Sequence, residues 1–199
     1  FPILRGRQFE LLALRECVNK SLLSNKIIPI VEPVKVSSTY TKTVDSFIEA
    51  NKAIAIIRNP QVGSWTKDLK KESNAKIREQ AIGQLKDVNV IPSFYVTPML
   101  SACIKNAAQN GTDIESLLLL CNNPEYIGDY EEVIGDNTPL YNIIPDKGDF
   151  RRRIRLNRVM CEDHFPKQTR NIDYLNIDTE FFSSDHLYYM DDGYKGFSD

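Results

Sequence analysis

Short apolar runs that end in a charged or polar residue recur along the whole chain, and a proline or glycine often follows at once. Segments of helical period separate these runs. This arrangement is typical of buried parallel strands joined by helical crossovers. The runs end within residues 3–6, 30–33, 56–60, 94–98, 119–124, 143–146, 159–163 and 194–199.

Strands that alternate with helices in this way predict an α/β fold, a TIM-like (β/α)8 barrel that forms a single domain over residues 1–199. The predicted strands are 1–4, 26–34, 53–58, 89–96, 116–121, 141–145, 158–162 and 194–199. The predicted helices are 8–24, 37–51, 66–86, 99–109, 126–134, 150–156 and 181–189.

The last predicted strand reaches Asp199, so no residues remain for the helix that would cover it. Apolar surface left in water costs about 25 cal/mol per Å². We therefore expect a barrel that is truncated after strand 8 and incomplete at its C-terminus. A missing segment or a protein partner would then cover this flank.

Composition mainly excludes classes of protein. Apolar residues make up 42% of the chain and charged residues 26%, as in ordinary soluble proteins. A net charge of -2 gives no reason to expect strong general attraction to nucleic acid. No apolar segment approaches the roughly 20 residues that span a membrane. The four cysteines lack CxxC spacing, which favours reduced thiols and a cytoplasmic location.

Binding and catalytic side chains in a β/α barrel come from the carboxyl ends of the strands. Predicted strands one and three contribute arginines at their carboxyl ends, Arg5 and Arg58, and Glu32 lies near the end of the strand between them. Alternation places Ile54, Ile56 and Arg58 on one face of their strand. Because guanidinium groups bind phosphates and carboxylates bidentately, we predict a phosphate-bearing or other anionic ligand at the barrel mouth. The residues predicted to bind it are Arg5, Arg7, Glu32, Arg58 and Asn122.

Carboxylates follow the last three predicted strands, as Asp146, Asp163 and Asp199. Joined by Glu32, they would suit a hard cation such as Mg²⁺. An alternative function is therefore a divalent-metal-dependent, phosphodiesterase-like hydrolase. A further alternative is an ion-pair network of arginines and Glu32 that fills the barrel top, which would leave a non-catalytic interaction scaffold.

Titratable groups are densest at Glu162-Asp163-His164. His164 is a candidate general base or metal ligand, and a surface hydrogen bond is its alternative. The catalytic candidates are Glu32, Asp163 and His164. With only two histidines in the chain, a three-histidine zinc site is excluded. The basic run at residues 151–155 would suit nucleic-acid phosphates, and a solvated outer helix face is its alternative.

Residues 2–14, Pro-Ile-Leu-Arg-Gly-Arg-Gln-Phe-Glu-Leu-Leu-Ala-Leu, resemble the opening of the "beta protein" family of phages and bacteria. Residues 30–33, 165–168 and 193–199 look like a bacterial branch of that family. The resemblance implies a longer protein and, by association with phages and mobile elements, a phage-linked or defence role. It implies no established chemistry.

A weaker similarity joins Arg5-Gly6 and Glu32 to the glycerophosphodiester phosphodiesterase barrel. That family uses a His-Arg pair and a Glu-x-Asp step. Leu4 stands in place of the histidine and Val34 in place of the aspartate, so the residues for that reaction are incomplete here.

Overall fold

Eight parallel strands form one sheet in chain order, each paired with the next. The computed structural model describes residues 1–164, 169–176, 179, 181 and 183–198. The strands are β1 Ile3–Leu4, β2 Ile30–Val31, β3 Ile54–Ile57, β4 Val90–Tyr95, β5 Leu118–Leu120, β6 Tyr141–Ile144, β7 Arg158–Cys161 and β8 Gly196–Ser198.

Helices follow the strands along the chain. They are α1 Gln8–Asn19, α2 Ser38–Glu49, α3 Trp65–Asp68, α4 Ala75–Gln84, α5 Leu100–Gln109, α6 Ile127–Ile134, α7 Gly148–Arg153 and α8 Asp185–Tyr188. Short 3₁₀ turns occur at Glu72–Asn74, Ile114–Ser116, Pro124–Tyr126 and Asn171–Asn176. The alternation of parallel strands with helices confirms the predicted TIM-like (β/α)8 barrel.

Phe1 links the last strand to the first, so the sheet is nearly closed. Its nitrogen donates a 2.8 Å hydrogen bond to the carbonyl of Phe197. Its ring lies against the α-carbon of Gly196, where an added Cβ would be 2.7 Å from a ring carbon. The same ring packs edge-on to Tyr141, with centroids 4.8 Å apart. Phe1 therefore fills the interior at the seam between β8 and β1.

Strand side chains alternate between the barrel interior and the helical layer. Alternate strand residues such as Ile57, Leu118, Leu120 and Val159 pack together inside. The outward residues form two separate clusters. One holds β2, β3, α1, α2 and α4, and the other holds β4 to β8 with α5 to α7. Strands buried on both faces explain why the runs read as continuously apolar.

Element boundaries differ from the sequence predictions in several places. The first helix ends at Asn19 because the chain turns at Ser21, which has φ +55°. The predicted helix 66–86 is divided into α3, a 3₁₀ turn and α4. Strand 26–34 is reduced to two residues that lie between Pro29 and Pro33, which lack the N–H that a ladder needs. Residues 165–168 and Asp199 lie outside the described residues.

Candidate functional site

Glu32 lies at the carboxyl end of β2 and is buried, with 4% of its surface exposed. Its Oε1 accepts a 2.6 Å hydrogen bond from the backbone N–H of Gln61. Its Oε2 accepts a 3.2 Å hydrogen bond from the hydroxyl of Tyr95, at the end of β4. Both carboxylate oxygens are thus satisfied, as a buried carboxylate requires.

Tyr95 is held in place by Asn59. The amide of Asn59 donates to the carbonyl of Tyr95, and its Oδ1 accepts from the N–H of Tyr95, both at 2.9 Å. Burial raises the pKa of Tyr95, and the charge and hydrogen bond of Glu32 raise it further, whereas Arg5 lowers it. Tyr95 therefore stays a hydrogen-bond donor at neutral pH. Tyr95, Glu32 and Arg5 therefore lie close enough at the barrel mouth to interact electrostatically.

The loop that supplies the N–H of Gln61 is fixed against the end of β2. Gly63 has φ +81°, and an added Cβ would lie 2.1 Å from the carbonyl oxygen of Val34. That oxygen accepts hydrogen bonds from the N–H groups of Ser64 and Trp65, at 2.7 and 3.1 Å. Only glycine allows this close approach in this backbone conformation. This close contact fixes the loop in a position from which the backbone N–H of Gln61 donates to Glu32.

Two exposed arginines flank Gly6 in the loop after β1. Gly6 has φ +31°, and an added Cβ would lie 3.0 Å from the carbonyl oxygen of Glu32. Arg7 precedes α1, where its N–H donates to the carboxylate of Glu10. Within the described residues, Arg5 forms no ion pair. The sequence prediction of arginines at this end of the barrel therefore applies to Arg5 and Arg7.

Arg58 does not join them, and its predicted place at the mouth is wrong. It shares a face with Ile54 and Ile56 as expected, but those residues pack against the helices. Its guanidinium donates to Thr112 and to the carbonyl of Leu85, at 3.1 and 3.0 Å. Alternation groups residues correctly but does not tell which face is inside when both faces are apolar.

The mouth is also not filled by the ion-pair network left open above. The described residues contain no ion pair among Arg5, Glu32 and Arg58. Glu32 is satisfied instead by neutral donors. Asn122 is exposed two residues after the end of β5, so four of the five residues predicted to bind a ligand lie just after β1, β2 or β5.

The predicted metal ligands are only partly described. Asp146 accepts a hydrogen bond from the hydroxyl of Tyr194 and pairs with Arg151 at 3.3 Å. Tyr194 packs in the outer cluster beside α7, and Asp163 is exposed. Among the described residues, no group of three His, Cys, Asp or Glu side chains is arranged to hold a metal. Asp199 lies outside them, so the Mg²⁺ site stays a prediction.

The three catalytic candidates have different surroundings. Glu32 is buried, whereas His164 is exposed and its Nε2 lies 2.8 Å from Oδ2 of Asp185, the first residue of α8. Asp163 is exposed, and the neighbouring Glu162 accepts a 2.7 Å hydrogen bond from the N–H of Asp146. The hydrogen-bonded alternative for His164 is thus the arrangement observed. A catalytic role for these residues stays a prediction.

The basic run on α7 has acidic neighbours. Arg151 pairs with Asp146, and Arg153 pairs with Glu131 of α6. The four cysteines all lie within the described residues, and Cys121 is the buried one among them. None of the helices in the described ranges is both long and apolar enough to cross a membrane.

The predicted ligand and catalytic residues do not include Tyr95 and Gln61, the two donors to Glu32. They also omit Asn59, which holds Tyr95, although the rule on strand ends selects Asn59. Counting in twos from the inward Ile91 reaches Tyr95, and counting from the inward Ile57 reaches Asn59. Alternation could therefore have identified both residues, but only once it was known which faces of β3 and β4 point into the barrel.

Comparison with known proteins gives no relative for this chain. No protein-family model matches it, and neither a curated protein nor a solved structure does. The resemblance to the beta protein family therefore stays a prediction, and the site itself must carry any functional conclusion.

Proposed function

We propose that this barrel binds a phosphate-bearing or other small anionic ligand at its C-terminal mouth. The observation that carries the proposal is that Arg5 is exposed at the mouth and unpaired among the described residues, where no carboxylate forms an ion pair with its guanidinium.

The surroundings of Arg5 favour an anion over a cation. Both oxygens of the nearby Glu32 carboxylate are occupied by Gln61 and Tyr95. Arg7 adds a second exposed guanidinium two residues later, directly before α1. The first turn of a helix carries partial positive charge, which also favours an anion. Glu10, whose carboxylate accepts from Arg7, partly offsets this charge.

The buried residues act as support for the ligand-binding loop. Gly6 holds the β1–α1 loop against the backbone of Glu32, and the Glu32–Tyr95 bond ties β2 to β4. Arg5 is thus presented from a rigid base, which reduces the ordering entropy that binding requires. Binding, rather than catalysis, is the role that this arrangement supports best.

The proposal is tested by thermal unfolding in the presence of phosphate, pyrophosphate and nucleoside phosphates, each with and without Mg²⁺. A ligand of the native state raises the midpoint progressively with its concentration. We expect stabilisation by at least one anion without added metal. Stabilisation only when Mg²⁺ is present would instead favour the metal-dependent hydrolase, and no shift with any compound would contradict anion binding.

A further inference from the structure

A cleft of about 990 Å³ opens on the outer surface of the barrel, between α4 and α5. Its floor is the outward face of β4, and the two helices form its walls. Its apolar lining includes Ile82, Leu85, Val88, Phe94, Ala107 and Leu140. This volume is at the upper end of the range for sites that enclose small organic ligands.

The cleft exists because α4 and α5 pack away from each other. Gln84 of α4 donates to the carbonyl of Thr41 and to the carboxylate of Asp45 on α2, at 2.7 and 2.6 Å. Ile104 of α5 packs in the other outer cluster, with Ile127 of α6. The two outer clusters therefore meet over β4, whose outward residues Val90 and Phe94 are buried at the base of the cleft.

Arg58 lies in the wall of this cleft as a partly buried cation. Its Nη1 and Nη2 donate to Thr112 and Leu85, and a guanidinium has more N–H donors than these bonds use. Its Nε is buried and has no acceptor among the described residues. Burial lowers the pKa of Arg58, and no ion pair with a described carboxylate offsets that burial.

The other charges of the cleft leave its lining positive. Lys86 and Asp87 also line it. The carboxylate of Asp87 is engaged, since its Oδ1 accepts from the backbone and side-chain amides of Asn89, at 2.8 and 3.1 Å. An occupant with an apolar body and one negative group would therefore complement both the lining and its charge.

The geometry points to a second binding site here, for an amphipathic monocarboxylate. Its apolar chain lies along Ile82 and Val88, which are exposed in the lining, and its carboxylate accepts hydrogen bonds from the guanidinium of Arg58. This ligand enters between two helices on the outside of the barrel. The site is thus separate from the mouth, where Arg5 lies, and does not rest on the function proposed there.

The experiment is a calorimetric titration of the full chain with decanoate, kept below the concentration at which it forms micelles. Decanol and decyltrimethylammonium, which share the chain but not the negative charge, are the matched compounds. We expect decanoate to bind at least about tenfold more tightly than either, because charge-assisted hydrogen bonds are the strong ones.

Cysteine alkylation locates the bound chain. Cys103 lines the cleft, whereas Cys17 lies on α1, which contributes no residue to the lining. We expect decanoate to slow alkylation of Cys103 and to leave that of Cys17 unchanged, as read by mass spectrometry. Burial raises the pKa of the Cys103 thiol, so the labelling is run under mildly alkaline conditions.

Two variants test the role of charge. Arg58→Met removes the guanidinium and should weaken decanoate binding by about tenfold or more. Because this variant leaves the partners of Arg58 unsatisfied, Asn106→Asp is a second test that adds a negative charge to the exposed cleft wall. It should weaken binding by about fivefold, and Asn19→Asp on exposed α1 should have no effect.

Several outcomes would overturn this site. They are no binding of decanoate, equal binding of decanol, unprotected Cys103, or unchanged affinity in Asn106→Asp. Arg5→Gln, which removes the guanidinium that carries the proposed anion site at the mouth, should leave decanoate binding unchanged. A loss of decanoate affinity in that variant would place the carboxylate at the mouth and overturn the cleft as its site.

Discussion

The hydroxyl of Tyr95 donates a 3.2 Å hydrogen bond to Oε2 of Glu32, and this bond joins β4 to β2 across the barrel mouth. Tyr95 and Glu32 are far apart in sequence, and each also forms a hydrogen bond with a further residue of the mouth. Asn59 clamps the backbone of Tyr95, and Gln61 donates to the other oxygen of Glu32. The bond therefore depends on the correct placement of β2, β4 and the loop that contains Asn59 and Gln61.

Removal of this hydroxyl should destabilise the fold. Tyr95→Phe leaves Oε2 of the buried Glu32 without its donor, which typically lowers the free energy of unfolding by about 1–3 kcal/mol. Denaturant titration measures the change. Tyr188→Phe, on an exposed residue of α8, is the matched control and should be neutral. Equal stability of the two variants would show that the Tyr95 bond contributes nothing.

Gly63 should not tolerate a side chain. Gly63→Ala places a Cβ against the carbonyl of Val34 in a conformation that favours glycine, so we expect a loss of about 2 kcal/mol or more in unfolding free energy. Gly83→Ala, in α4 with open space around it, should stabilise by about 0.5–1 kcal/mol. Opposite signs in denaturant titrations are expected, and two neutral variants would contradict the tight loop contact.

The seam between β8 and β1 predicts a coupled pair of mutations. Gly196→Ala should lower the free energy of unfolding by about 1–3 kcal/mol, because its Cβ meets the ring of Phe1. In a Phe1→Leu background the same change should be milder, since the ring is gone. A double-mutant cycle measures this coupling. Strictly additive effects would mean that Phe1 does not lie against Gly196.

Acid sensitivity should depend on Asp68. Hydrogen bonds from Lys71 and Ser64 lower the pKa of Asp68 below its ordinary value. A lowered folded-state pKa contributes stability that is present above the unfolded-state pKa, near 4, and is lost as pH falls through the folded-state pKa. Asp68→Asn should therefore lower stability at neutral pH and flatten its decline in acid.

Urea midpoints measured from neutral pH downward test this. Asp191→Asn, at an exposed position, should keep the decline of the wild type. A curve for Asp68→Asn that runs parallel to that of the wild type would show that Asp68 contributes no acid sensitivity.

The fold was predictable because each short strand is buried on both faces and so appears as an apolar run of its own. The ends of the helices were harder to predict from the sequence. Helix 66–86 has no glycine or proline at the point where it breaks after α3. Asp68, the last residue of α3, accepts hydrogen bonds from Ser64 and Lys71, and this contact is not marked in the helical pattern.

The site was predictable only in part. Arg5 and Glu32 follow β1 and β2 directly, so the rule on strand ends locates them. Arg58 also follows a strand directly, but its side chain lies between helices. The prediction missed this because both faces of β3 are apolar, so alternation cannot tell which face points into the barrel. The donors to Glu32 come from β4 and a loop. Alternation reaches Tyr95 only once the inner face of β4 is known, and no local pattern marks the N–H of Gln61 as a donor.

Anion binding through Arg5 is the central claim, and calorimetric titration with pyrophosphate tests it most directly. We expect saturable binding to the wild type, at least about tenfold weaker binding to Arg5→Gln, and wild-type affinity in Arg155→Gln, an exposed arginine of the loop before β7. Equal pyrophosphate affinity in all three proteins, or no binding to the wild type, would contradict the claim.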